Sequence, residues 1–303
     1  MIYTLTLNPS IDYIVRADNV TLGSLNRATA TAFYPGGKGI NVSRVLHNLG
    51  VNSTALGYLG GFTGVYIKEQ LSSAEIACDF VQLDEPTRIN IKLKTDQETE
   101  VNGNSPYVSQ VKQTELLDKI SKLTAEDFLV MAGSLPQSVA ADFYEIVAER
   151  CIEKNIPFII DTSGNAFERI LDYKPFLIKP NQHELEDLLD VKIHSVEDAI
   201  QYGSELLQKG PSHIIVSLGG DGAVFISEGL KAVAHAPTGV VKNTVGAGDS
   251  TVAGFLSSYV QHNDLLKAFQ FGVAAGSATA FSEDLCTKSE VEKLLPQVKV
   301  EKL

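Results

Sequence analysis

Asp127-Phe-Leu-Val-Met-Ala-Gly-Ser-Leu-Pro136 is five apolar residues running into a small, polar loop. A run that short, without polar alternation and ended by glycine, reads as a strand buried on both faces. The unit recurs. Pro157-Phe-Ile-Ile-Asp161 leads into Thr162-Ser-Gly164, Phe176-Leu-Ile-Lys179 into Pro180-Asn181, and His213-Ile-Ile-Val-Ser217 into Leu218-Gly-Gly-Asp-Gly222. Helical stretches are expected before and between them, near 112–122, 138–154 and 195–209. Short apolar strands alternating with amphipathic helices indicate an α/β fold whose mostly parallel sheet is covered on both faces. Ligands bind such sheets beyond the carboxyl ends of the strands, so these loops are expected to face one cleft.

Further along the chain stands Asn243-Thr-Val-Gly-Ala-Gly-Asp-Ser250. It follows an apolar stretch expected to be extended, Gly239-Val-Val-Lys242, and precedes a segment in which Val252, Phe255, Leu256 and Tyr259 recur at helical spacing. The expected geometry is strand, Gly-rich turn, helix N-terminus. The first amides of a helix lack intrahelical acceptors and carry the positive end of its dipole. Gly246, Ala247 and Gly248 would let an anion approach those N–H groups closely, with Asp249 beside it in the first turn. Taken alone, the stretch is better explained as an ordinary strand-to-helix turn with Asp249 as its N-cap. Residues 264–282 read as a helix rich in Ala and Gly, suited to close packing.

Toward the N-terminus, residues 2–7 form an apolar strand closed by Asn8-Pro9. Asp12 interrupts the β-branched, aromatic run Ile11–Val15, and could be either a solvated strand residue or an acceptor for sugar hydroxyls. Residues 27–34 look like a further, poorly buried strand. Pro35-Gly-Gly-Lys-Gly-Ile-Asn41 opens a second Gly-rich turn into a helix near 38–49, stopped at Gly50, with Lys38 and Asn41 in its first turn. It is not a nucleotide-binding P-loop, because position 32 is Ala and position 39 is Gly. No Gly-x-Gly-x-x-Gly follows a strand, which argues against a dinucleotide oxidoreductase. In Thr87-Arg-Ile-Asn-Ile-Lys-Leu-Lys94, Arg88, Asn90 and Lys92 alternate with Ile89, Ile91 and Leu93. One face of that strand is therefore a candidate anion site, or else simply a wet surface. Residues 95–107 read as a turn and an exposed return.

The chain has 303 residues, 44% hydrophobic and 20% charged, as expected of a globular protein with a sizeable core. A net charge of −12 gives no electrostatic support to nucleic-acid or anionic-membrane binding, so an anionic substrate would need a local cationic pocket. Cys78, Cys151 and Cys286 are far apart and lack zinc spacing, and are expected to be free thiols. With no signal-peptide pattern and no membrane-spanning run, a cytoplasmic location is expected.

Seven motifs in this order resemble the ribokinase-like sugar kinases of the phosphofructokinase B family: Thr6-Leu-Asn-Pro-Ser-Ile-Asp12, Gly36-Gly-Lys-Gly-Ile-Asn41, Thr87-Arg88, Gly133-Ser-Leu-Pro136, Lys179-Pro-Asn-Gln-His-Glu184, Ser217-Leu-Gly-Gly-Asp-Gly222 and Thr244-Val-Gly-Ala-Gly-Asp249. The resemblance covers nearly the whole chain. It implies one three-layer α/β/α kinase domain over 1–303, with a small β-sheet lid inserted at about 11–34 and 87–107 and a homodimer formed through that lid. It implies ATP-dependent phosphorylation of a sugar phosphate, fructose 1-phosphate first, with tagatose 6-phosphate or fructose 6-phosphate as alternatives. A sugar-phosphate-binding regulator without catalysis is the alternative from another class. By the same resemblance Asp249 is the general base and the amides of Gly246, Ala247 and Gly248 the anion hole. Asp12, Gly36, Gly37 and Asn41 hold sugar hydroxyls, while Lys38, Arg88 and, as a further candidate, Arg27 meet the existing phosphate. Lys179, Asn181, Ser217, Gly219, Gly220, Asp221, Gly222 and Gly248 lie on the nucleotide side, with the helix after 268. Glu184 is tied to Mg2+ through water, although Asn181 and Glu184 also spell a helix capping box.

Overall fold

The computed structural model describes residues 1–162 and 164–303. The chain opens with β1 (Ile2–Thr6), β2 (Ser10–Arg16) and β3 (Ala30–Gly36), followed by α1 (Lys38–Asn48), β4 (Ser53–Gly60) and α2 (Gly61–Ser73). Short β5 (Ala77–Cys78) and β6 (Val81–Leu83) precede β7 (Arg88–Lys94), β8 (Glu98–Asn102) and α3 (Gln110–Ile120). Alternation then becomes regular: β9 (Phe128–Ala132), α4 (Phe143–Glu153), β10 (Phe158–Asp161), α5 (Asn165–Ile170), β11 (Leu177–Ile178), α6 (Gln182–Leu189), α7 (Val196–Leu207) and β12 (His213–Ser217). The chain ends with β13 (Ala223–Ser227), β14 (Leu230–Ala234), α8 (Ala247–His262), α9 (Leu265–Ala280), α10 (Lys288–Leu294) and β15 (Val300–Lys302).

Eleven strands form one sheet in the order β15-β14-β13-β12-β11-β10-β9-β1-β4-β5, with β6 also pairing β4. Pairing is parallel from β5 to β12 and antiparallel from β12 to β15. Alternate strand residues feed two cores, which is why these runs are apolar throughout. Leu5, Met131, Ile160 and Ile178 pack beneath α3, α4, α6 and α7, while Ile2, Val130, Ile159 and Leu177 pack beneath α1, α8, α9 and α10. β1 lies between β4 and β9, so the chain departs from it in both directions and a crevice opens beyond its carboxyl end.

A separate four-stranded sheet, β3-β2-β7-β8, stands over that crevice. Its faces are reversed from the usual arrangement. Asn90 and Lys92 are buried, whereas Phe33, Ile91 and Val101 are exposed. Among the described residues no helix is long and apolar enough to cross a membrane, and all three cysteines are free, Cys151 and Cys286 being buried.

Two expectations change. The helix foreseen from 138 begins only at Phe143, after a turn. Gly239–Lys242 is not a strand. Its valines are exposed, and the N–H groups of Lys242 and Asn243 both donate to Ala280 O at the end of α9. β-branched residues favour an extended backbone, but a strand also needs a neighbour, and none is there.

Candidate active site

Helix α8 starts at the mouth of the crevice, directly after Gly246, whose φ of +80° favours glycine and whose Cβ would lie 2.5 Å from Leu285 Cδ2. Of the three amides expected to face an anion, that of Ala247 is already committed, donating to Thr244 O at 3.2 Å. Among the described residues the N–H groups of Gly246, Gly248 and Asp249 have no protein acceptor, so Asp249 takes the place of Ala247 in the free set.

Asp249 is 5% exposed, and Asn41 Nδ2 donates to its Oδ2 at 2.8 Å. Burial, then the nearby Asp161, push its carboxyl up to about 6. Asp161 ends β10 and is buried too, with Lys38 Nζ at 2.8 Å and Lys179 Nζ at 3.8 Å. Its burial opposes ionisation, but Lys179 and Lys38 outweigh that and hold it below the usual carboxylate range. For Lys38, burial alone would lower the ammonium's proton affinity; Asp161 and Asp249 more than reverse this and hold it above the lysine range. Lys179 rests against the start of α8, its Nζ 2.9 Å from where a Cβ on Gly248 would be. The result is a cation–carboxylate–cation bridge beside Asp249 and the free amides.

On the other side of the crevice, Asp12 sits under β3. A Cβ on Gly36 would come within 2.5 Å of its carboxyl carbon, so glycine is what permits the approach. Ser10 Oγ and Asn90 Nδ2 donate to Asp12 Oδ1 at 2.8 and 3.3 Å. Gly37 has φ +117°, and its Cβ would strike Thr6 Cγ2 at 2.7 Å. Arg88 Nη2 donates to Asn8 O at 3.0 Å, and Asn8 Nδ2 reaches Ser105 and Ser134. Lys92 pairs with Glu100 at 2.8 Å. One cavity touches Asp12, Gly37, Lys38, Asn41, Arg88 and Asp249. Arg27 is exposed in the connection between β2 and β3 and lines no cavity described.

A second cavity, under α8 and α9, is lined by Gly219, Gly220 and Gly222 at one end and by Pro237, Val273 and Phe281 at the other. The two cavities meet at Asn181, Ser217 and Gly248. Asp221 does not line either of them. Asn181 caps α6, its Oδ1 accepting from Glu184 N while Glu184 Oε2 accepts from Asn181 N, both at 2.8 Å. Among the described residues no three His, Cys, Asp or Glu converge as a metal cage.

Residues 5–292 match the pfkB family of carbohydrate kinases. The chain belongs to this family. It is 48% identical to a 1-phosphofructokinase of Bacillus subtilis, with all of both chains covered. To a D-tagatose-1-phosphate kinase of Bacillus licheniformis it is 36% identical over 99% of each chain. It superposes with TM-score 0.93 on phosphofructokinase-2 from Escherichia coli, solved in complex with substrates and products, at 29% identity over 97% of this chain and 98% of the other. This carbohydrate kinase thus carries the α/β fold with a separate small sheet that its family's structures share.

Three residues of the kinase's cleft to which the sequence reading gave no role are Asp161, Asn8 and Ser134. Each stands at or just beyond the carboxyl end of a parallel strand, β10, β1 and β9. That placement was the available signal. Among many Asp, Asn and Ser in loops, only the strand order identifies those from neighbouring strands.

Proposed function

We propose that this kinase transfers the terminal phosphoryl group of ATP to the free primary hydroxyl of fructose 1-phosphate, giving fructose 1,6-bisphosphate. The observation that carries this is the position of Asp249 and three unpaired amides where the two cavities meet. The substrate assignment draws on likeness to the Bacillus subtilis enzyme along the full chain. In this reading the sugar phosphate occupies the cavity of Asp12 and Arg88, and the nucleotide occupies that of Gly219, Gly220 and Phe281.

A sugar hydroxyl is far too weak an acid for a carboxylate to deprotonate in advance. Phosphoryl transfer has a loose transition state, so the base accepts the proton late, as the new O–P bond forms. Asp249 takes that proton. The amides of Gly246, Gly248 and Asp249 neutralise charge on the group in transit, each such donor being worth roughly 3 kcal/mol. Lys38 and Lys179, held by Asp161, place two ammonium groups beside the same point. Arg88, Ser134 and Asn8 serve the existing phosphate.

The donor set fits magnesium carried by a nucleotide. Glu184 spends one oxygen on Asn181 and, among the described residues, keeps the other without a hydrogen-bond partner, which suits an ion held mainly by phosphates and water. Asn181 and Glu184 would hold it, and it would supply charge neutralisation of the nucleotide phosphates.

The small sheet acts as a lid on a single kinase domain. Its exposed outer residues Phe33, Ile91 and Val101 form the face through which two copies pair.

ADP release measured with fructose 1-phosphate, tagatose 1-phosphate, tagatose 6-phosphate and fructose 6-phosphate tests the reading. The highest kcat/KM is expected for fructose 1-phosphate; a tenfold preference for another sugar would replace the substrate, and no turnover with any would leave a binding protein. Arg88→Ala should raise the KM for the sugar phosphate about tenfold or more with the KM for ATP little changed, since losing a charge-assisted contact costs about 1.5–3 kcal/mol. Equal effects on both would remove Arg88 from the phosphate site.

A further inference from the structure

Asn41, expected from the sequence to hold a sugar hydroxyl, faces the carboxylate of Asp249. It lies in the first turn of α1, 8% exposed, and its Nδ2 is 2.8 Å from Asp249 Oδ2, across 208 residues of chain. A carboxylate can take the substrate proton on either oxygen, and a general base works only when one of them points along the hydroxyl. The donated N–H fills one lone-pair direction of Oδ2 and fixes the rotation of the carboxylate, so that among the described residues Oδ1 is the oxygen without a side-chain donor. We infer that Asn41 is a positioning residue of the reaction: its amide pins Asp249 Oδ2 and leaves Oδ1 as the atom that receives the proton. The inference rests on Asp249 being the base in the function proposed above.

The surroundings supply no substitute. Asp161 from β10, Lys38 from α1 and Lys179 from the β11–α6 connection are the charged groups that face Asp249. Both lysines approach Asp161, Lys38 at hydrogen-bonding distance. From α9 comes the Thr279 hydroxyl, bonded to Ser250 and to Cys286 N, and the buried Cys286 thiol stands behind them. Asn41 is therefore the one side chain hydrogen-bonded to Asp249 among the described residues. The bond also favours the ionised carboxylate, opposing the burial that disfavours it.

Two measurements on the full-length protein test this. The first needs no substrate. The difference in unfolding stability between wild type and Asp249→Asn, followed against pH, reports when Asp249 ionises in the folded state. In an Asn41→Leu background that titration should move upward by about one pH unit or more; an unmoved titration overturns the inference. The second is the acid limb of kcat with ATP and fructose 1-phosphate. In Asn41→Leu it should shift upward too, with kcat down roughly 10–100-fold on its plateau and the sugar-phosphate KM within about twofold. A KM rise of about tenfold with the limb in place would make Asn41 a sugar contact instead and overturn the proposal. If the wild type does not turn over fructose 1-phosphate, the substrate reading fails while the stability titration still decides on Asn41. Should Asn41→Leu not fold, Asn41→Asp keeps the shape and replaces the donor by a second carboxylate. A larger upward shift in both readouts is then expected, and no shift overturns the inference.

Discussion

Asp249 is a carboxylate kept where a neutral group is favoured. Unfolded, it ionises near the ordinary aspartate value of about 3.9; folded, burial and Asp161 delay this to about 6. The native state therefore carries a penalty above pH 6 that is absent below pH 4, of the order of 2–3 kcal/mol. Asp249→Asn should be more stable than wild type at pH 8 in urea titrations, with the gain fading as pH falls through 6. The same variant should lose about 10²–10⁴-fold in kcat while still binding both substrates, and wild-type kcat should fall as pH drops through about 6. Turnover within tenfold of wild type would remove Asp249 as the base. Asp249 and Asn41 were legible because glycines stand beside each in the sequence, and Asp12 because a lone carboxylate interrupts the apolar run Ile11–Val15. Asp161 was not, because a lone Asp after a strand looks like a turn residue until the fold sets two lysines beside it.

Helices α8 and α9 pack closely along their length, and glycine makes that possible. A Cβ on Gly254 would lie 2.7 Å from Ala275 Cβ and 3.0 Å from Phe271 O, and one on Gly276 would lie 2.3 Å from Thr251 Oγ1. Gly254→Ala gains up to about 1 kcal/mol of helix propensity but must push the helices apart, at about 1–3 kcal/mol. A net loss of roughly 1–2 kcal/mol is expected in urea unfolding. The KM for ATP should rise as well, because both helices line the nucleotide cavity. An unchanged urea midpoint would show that the pair can relax. At this scale the Ala/Gly composition of 264–282 foretold a close neighbour but not which one. The misread stretch was Gly239–Lys242, since propensity speaks for the residues and cannot see whether a sheet edge is near. The strand Arg88–Lys94 gave its alternation correctly, yet only the cleft beneath it decided that the polar face is the buried one.

For the molecule as a whole, acid sensitivity has an identifiable contributor outside the cleft. His213 opens β12 with its ring against Phe176 and Phe225 and its buried Nδ1 without a hydrogen-bond partner among the described residues. Burial lowers its proton affinity to about 4. The unfolded chain therefore binds a proton that the folded one refuses between about 6.5 and 4. Stability from this group is intact above pH 6.5 and lost as pH falls toward 4, by roughly 3 kcal/mol. His213→Phe should unfold at a lower pH than wild type at fixed temperature; the same acid midpoint would place the sensitivity elsewhere. The overall architecture was open to reading because parallel strands buried on both faces leave no polar alternation. The order of strands, and so the neighbours across the crevice, came only with the fold.

β3 ends at Gly36 and α1 begins at Lys38, leaving a single glycine between the small sheet and the helix that bears Lys38 and Asn41. One residue is a short tether, so movement of the sheet is passed largely to the helix. A tilt of the sheet away from an empty sugar site would rotate the first turn of α1 and take Asn41 off Asp249, so that water entering in place of sugar would meet a misaligned acceptor. Bound nucleotide would then be protected from futile hydrolysis by the same peptide link that joins the small sheet to α1.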